Sequence, residues 1–225
     1  ACNLDADANY GEPGDGKDIA CNFLVWNDLI AYLDWSGLRP MSELEFEKAC
    51  RGILSPVPNE YPWATAQATV GDYGLSSSGN NNEGIPAGAY STSVGNANYG
   101  GTSGVLGGPV RVGIFAANAG NTGRVTSGST YYGIMEMGGN VAEKAVHMSD
   151  EIARAYTGVH GNGGLTPVGE NDVELWPYTH HGNGLRGGYW NCPAVRMCVS
   201  DRNLGAASFL NRNDIQGGRG VRTAP

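Results

Sequence analysis

Lysine is almost absent from this 225-residue chain: Lys17, Lys48 and Lys144 are the only three. Charged residues of all kinds make up only 16%, and the formal net charge is −8. A chain this acidic and poor in lysine lacks the basic face that nucleic acid requires. It also lacks any apolar run approaching the roughly twenty residues needed to cross a bilayer, so no membrane insertion is expected. The first sixteen residues are polar and contain no apolar leader core. With no initiator Met, the sequence reads as a trimmed chain or as one domain of a longer protein. There is no tandem repeat.

The familiar chemical signatures are missing as well. Cys2, Cys21, Cys50, Cys192 and Cys198 leave at least one thiol unpaired and show neither CxxC nor zinc spacing. His147, His160, His180 and His181 follow no metal or triad pattern. The glycine runs neither follow a strand nor open a helix, which excludes a phosphate-cradling loop.

Glycine is what the chain has in abundance, 36 in all. That predicts one α+β domain over residues 1–225, rich in loops, with two helices near the N-terminus and short antiparallel strands. The first helix is expected to be capped by Asn27, with Leu29, Ile30 and Leu33 on one face, Trp26 and Trp35 flanking it, and Gly37 as the stop. The second starts at Ser42, where Glu45 completes a capping box, buries Phe46, Ala49 and Cys50, and ends at Gly52. Residues 110–114 and 131–135 read as strands. Residues 79–84 and 95–108 read as surface loops, and a weak helical pattern covers 148–155.

The tail stands apart. From Arg186 onward it carries six Arg and two Asp, but neither Lys nor Glu. Its arginines are expected to be structural forks that pair with backbone or carboxylates. Leu-Arg-Gly-Gly-Tyr-Trp at 185–190 and Gly-Gly-Arg-Gly-Val-Arg at 217–222 frame a middle without periodicity. Such a segment suits a scaffold that presents chosen side chains.

Four motifs occur in order: residues 37–52 with Tyr-Pro-Trp at 61–63, Tyr-Gly-Ile-Met-Glu-Met-Gly-Gly-Asn-Val-Ala-Glu at 132–143, the frame at 185–190, and Gly-Val-Arg at 220–222. This set resembles the formylglycine-generating enzyme, or sulfatase-modifying-factor, family. The resemblance implies a variant C-type lectin-like fold. Within that family, residues 111–116, 200–203 and 217–225 look like the variable proteins of diversity-generating retroelements. In those systems a reverse transcriptase miscopies adenines and rewrites the 3′ end of a gene, and the fold displays the rewritten residues to a ligand. The resemblance therefore implies a non-catalytic recognition protein, with residues 186–225 as its variable region. Its partner would be a protein or other surface ligand, and the protein would be displayed on a cell or virion surface.

Rewriting both adenines of an Asn codon that ends in a pyrimidine cannot yield Trp, Met, Gln, Glu or Lys. Tyr189, Asn191, Cys192, Pro193, Val195, Arg196 and Cys198 are all reachable. So are Asn203, Leu204, Ser208, Phe209, Leu210, Asn211, Asn213, Asp214 and Ile215. These sixteen are the expected ligand-binding positions, with Tyr189, Phe209 and Leu210 as affinity anchors. Trp190, Met197 and Gln216 are unreachable and belong to the scaffold. Arg186, Gly187, Gly188, Arg202 and Arg222 join them there, as do the remaining residues of 200–202 and 216–225.

Two further roles follow from the resemblance. The family's enzymes oxidise a substrate cysteine with copper and a pair of cysteines. Cys192 matches the first position, but Met197 occupies the second and Cys198 falls one residue late, which on a strand would turn its side chain to the other face. The enzymes also hold a structural calcium near the glycine-asparagine motif. By position, Glu136 and Glu143 would supply carboxylates, and Gly139 and Val141 carbonyls. Pairing of Glu143 with a buried arginine or with backbone is the competing expectation. A calcium-dependent sugar-binding lectin is a third reading, for which the acidic–amide triplets are missing.

Overall fold

The computed structural model describes residues 7–69, 73–100, 106–177, 181–207 and 209–224. Helix α1 (Trp26–Trp35) buries Leu29, Ile30 and Leu33 on one face, as the 3.6-residue spacing requires. Its N-cap is Val25, two residues earlier than the expected Asn27. Asp28 reaches back to accept the Val25 N–H at 3.0 Å, so the carboxylate satisfies the helix end. Trp26 closes the core, whereas Trp35 is 62% exposed and does not. The helix ends at Trp35 with Ser36 as its C-cap; the expected stop Gly37 follows at φ 68°, and the Leu38 N–H returns to the Leu33 carbonyl.

Helix α2 (Glu43–Arg51) starts at the capping box read from the sequence: Ser42 Oγ accepts the Glu45 N–H, and Glu45 accepts the Ser42 N–H. Phe46 and Cys50 are fully buried, Ala49 partly so. The weak pattern near 148 forms only a short helix, α3 (Glu151–Arg154), capped by Asp150.

The sheets are small. Strands β1 (Arg39–Pro40) and β5 (Gly220–Val221) pair antiparallel. Strand β2 (Ala142–Val146) lies between β3 (Asn183–Arg186), antiparallel to it, and β4 (Gln216–Gly217), parallel to it. The expectation of antiparallel pairing alone is therefore corrected by the β2–β4 pair. Residues 110–114 and 131–135 are not strands. Gly113 and Gly133, at φ 77° and 78°, turn the backbone out of the extended region in the middle of each run.

Buried amides hold the loop-rich middle where ladders are absent. Asn96 accepts from Ser91 N–H and donates to the Ser91 and Thr126 carbonyls. Glu83 accepts the N–H groups of Gly79 and Arg111. The stretch read as a surface loop is thus partly core: Asn96, Ala97, Asn98 and Tyr99 are buried, and residues 101–105 lie outside the described set. Polar groups this deep are tolerated because their hydrogen bonds are made.

Candidate functional site

The site begins with the start of β2. Glu143 pairs with Arg186, the last residue of β3, while Ala142 pairs with Gln216, the first residue of β4. The chain leaving β3 and the chain entering β4 therefore meet at one end of the sheet. Residues 139–142 hold both: Gly139 N–H donates to the Gly187 carbonyl at 2.8 Å, Asn140 accepts the Trp190 N–H at 2.9 Å, and Ala142 N–H donates to Ile215 at 2.9 Å.

Asn140 anchors this clamp from below. Fully buried, it accepts the Val110 N–H at 2.8 Å and donates to the Val110 carbonyl at 3.2 Å. Gly187 and Gly188 follow with φ 86° and 71°. A Cβ on Gly187 would lie 2.7 Å from the Met137 carbonyl, so neither the backbone angle nor the space admits a side chain.

The expected scaffold residues are largely interior. Arg186 is buried, donates to Glu43 at 3.0 Å and to the Val199 carbonyl, and lies over the Phe46 ring. Trp190 is 9% exposed, and Met197 and Gln216 are 0% exposed. Arg202 forks onto Glu43 and Glu47. Arg222 is a correction: it is exposed and makes no ion pair among the described residues. The terminal fork belongs instead to Arg219, which sequence reasoning left unnamed although it stands alone between glycines.

Seven of the sixteen expected ligand-binding positions are exposed. Asn191, Pro193, Asn203, Asn211 and Asn213 are exposed, Val195 is 55% exposed and Leu210 69%. Tyr189, Arg196, Leu204, Phe209, Asp214 and Ile215 are half-buried. Tyr189, Arg196 and Leu204 line one cleft with Gly187 and Gly188. Ser208 lies outside the described residues. Cys192 and Cys198 are corrections, because both are buried against Tyr61 and Trp63 and cannot present a side chain.

Several backbone carbonyls at these positions are held by partners outside the variable set, although the Tyr189 and Ile215 N–H groups donate to variable side chains, Cys192 Sγ and Asn213 Oδ1. The carbonyl of Cys192 accepts from Gly100 N–H, that of Leu204 from Leu185, that of Asn213 from Phe23 and that of Ile215 from Ala142. The Asp214 carbonyl accepts from the Asn22 side chain and the Asn211 carbonyl from Gln216.

Neither thiol is placed as a reactive group. Burial pushes Cys192 up to about 11, and its Sγ accepts the Tyr189 N–H at 3.1 Å. Burial also raises Cys198, whose Sγ faces the Asn59 carbonyl at 3.6 Å. Of the expected calcium ligands, Glu143 is ion-paired with Arg219, the competing expectation for it. Both oxygens of Glu136 accept the Gly113 N–H. Gly139 contributes its N–H to the clamp, and the Val141 side chain packs against Gly217.

A comparison with curated protein sequences returned no match. The family of the sulfatase-modifying factor enzyme 1-like domain matches residues 18–224, nearly the whole chain. The chain belongs to that family.

Proposed function

We propose that this domain is a non-catalytic recognition protein whose tail displays a replaceable set of side chains. It would be a variable protein of a diversity-generating retroelement, on a C-type lectin-like fold, and would bind a protein or other surface ligand from a cell or virion surface. The observation that carries the reading is how the tail backbone is held. Carbonyls at expected variable positions are bound by the main chain of other segments, or by Asn22 and Gln216, so the side chains there can change without loss of these bonds. The three codon-unreachable residues are all buried, while among the described residues the expected variable ones, cysteines apart, face solvent fully or in part. The exposed set is rich in asparagine beside Tyr189, Phe209 and Leu210, a mixture of adaptable amides and larger anchors that resembles an antibody paratope.

The copper-dependent oxidase of the formylglycine-generating type is the competing reading. It needs an accessible thiolate, which burial opposes at Cys192 and Cys198. Two experiments separate the readings. Sequencing the flanking DNA should find a reverse transcriptase gene and a near-copy of the tail-coding segment that differs only at adenines. Oxygen uptake with a cysteine peptide and copper should stay at background. Missing flanking elements together with thiol-dependent turnover would overturn the proposal.

A further inference from the structure

A cation already pairs with one of the carboxylates that the family resemblance gives to calcium. Arg219, between β4 and β5, donates from Nε to Glu143 Oε1 at 2.7 Å and from Nη2 to the Met135 carbonyl at 3.2 Å. Glu136, the second carboxylate, is 9% exposed. Both Glu136 oxygens are engaged by Gly113 N–H, at 3.0 and 2.9 Å. Glu143 is 2% exposed, and its Oε2 has no hydrogen-bond partner.

This donor set does not fit calcium. The ion takes six to eight oxygens, commonly including carboxylates. Among the described residues, no three His, Cys, Asp or Glu side chains are grouped to hold a metal. A dication beside Glu143 would also stand against a guanidinium that already neutralises it. Coulomb repulsion at that range in a poorly solvated site is large.

We propose that Arg219 is a built-in cation that replaces calcium, so that the tail frame is locked to β2 without a metal. The arginine closes the same circuit an ion would: it joins the end of the tail to Glu143 on β2 and to the Met135 carbonyl before the clamp. Unlike an ion, it cannot be removed by a chelator. Its loss would leave a buried carboxylate without a counter-charge, a costly state, whereas removing both charges together is tolerated.

The test uses thermal unfolding of the whole chain. The wild type should melt within about 1 °C of the same temperature in EDTA and in millimolar calcium, since a metal bound only by the folded state would raise it. Terbium, a luminescent stand-in for calcium, should show no saturable binding. Arg219→Met should melt roughly 10 °C lower, and the double variant Arg219→Met/Glu143→Gln should recover at least about half of that loss. If Arg219→Met fails to fold, folding of the double variant carries the same meaning. A saturable rise of the wild-type melting temperature with calcium would overturn the proposal. So would a neutral Arg219→Met, or a double variant no better than the single one.

Discussion

Met197 and Val195 share one turn of 3-10 helix, Ala194–Met197, yet have opposite surroundings. Met197 is fully enclosed with Tyr61, Trp63 and Tyr99, while Val195 points to solvent. Met197→Ala should therefore cost on the order of 2–5 kcal/mol in urea denaturation, from lost burial plus a cavity. Val195→Ala should stay within about 0.5 kcal/mol. Equal costs would remove the division between scaffold and display. Cys192 offers a second residue-scale check. Because burial holds it as a thiol, iodoacetamide at neutral pH should label exposed Cys21 and leave Cys192 intact in the native protein. Labelling of both at similar rates, read by peptide mapping, would mean that the tail opens far more readily than its packing implies.

The clamp at 139–142 is the element on which the tail depends, and Asn140 is its anchor. Asn140→Ala would strip the buried Val110 N–H of its partner and leave its carbonyl with the Ala20 N–H alone, with an expected loss of about 1–3 kcal/mol. Calorimetry that finds no loss would show that the clamp is not held from below. The outer face of α2 carries a pH dependence. Burial alone would raise the Glu47 carboxyl, but hydrogen bonds and charge from Arg202, Arg51 and Arg186 hold it below its ordinary value. Its stabilising contribution is thus complete above that ordinary value and is lost as acid protonates it. Glu47→Gln should lower the melting temperature at pH 7 and converge with the wild type as pH falls from about 5 to 3. Parallel curves would contradict the assignment.

Helix α2 was legible because its signals are local: Ser42 and Glu45 are three residues apart, and Phe46 and Cys50 lie on one face. The strands were not, since β1, β4 and β5 have two residues each and exist only through partners far along the chain. The buried asparagines misled for the same reason. Asn96 and Asn98 are loop residues by composition, and only their distant carbonyl partners make them core.

Across the whole molecule, five of the tail's six arginines are matched by carboxylates elsewhere or within the tail. Arg186 and Arg202 meet Glu43 and Glu47 of α2, Arg212 meets Asp28 of α1, Arg219 meets Glu143, and Arg196 meets Asp201. The interior place of Arg186, Trp190, Met197 and Gln216 was legible in the sequence, unlike the exposure of Arg222. Which reachable residues point inward was not, since Cys192 and Cys198 are buried by the fold around Trp63 and not by any local pattern. What remains outside, from Asn191 to Ile215, is a nearly neutral surface on a backbone held by other segments. The central claim is that this surface can change while the fold stays. The direct measurement is a library in which Asn191, Pro193, Val195, Asn203, Leu210, Asn211 and Asn213 vary together among adenine-reachable residues. Each member would be scored for protease resistance and for binding to an arbitrary immobilised protein such as lysozyme. The account predicts that most members stay folded and that rare binders emerge with different sequences at these positions. A library that mostly unfolds, or that yields no binder while folded, would contradict it.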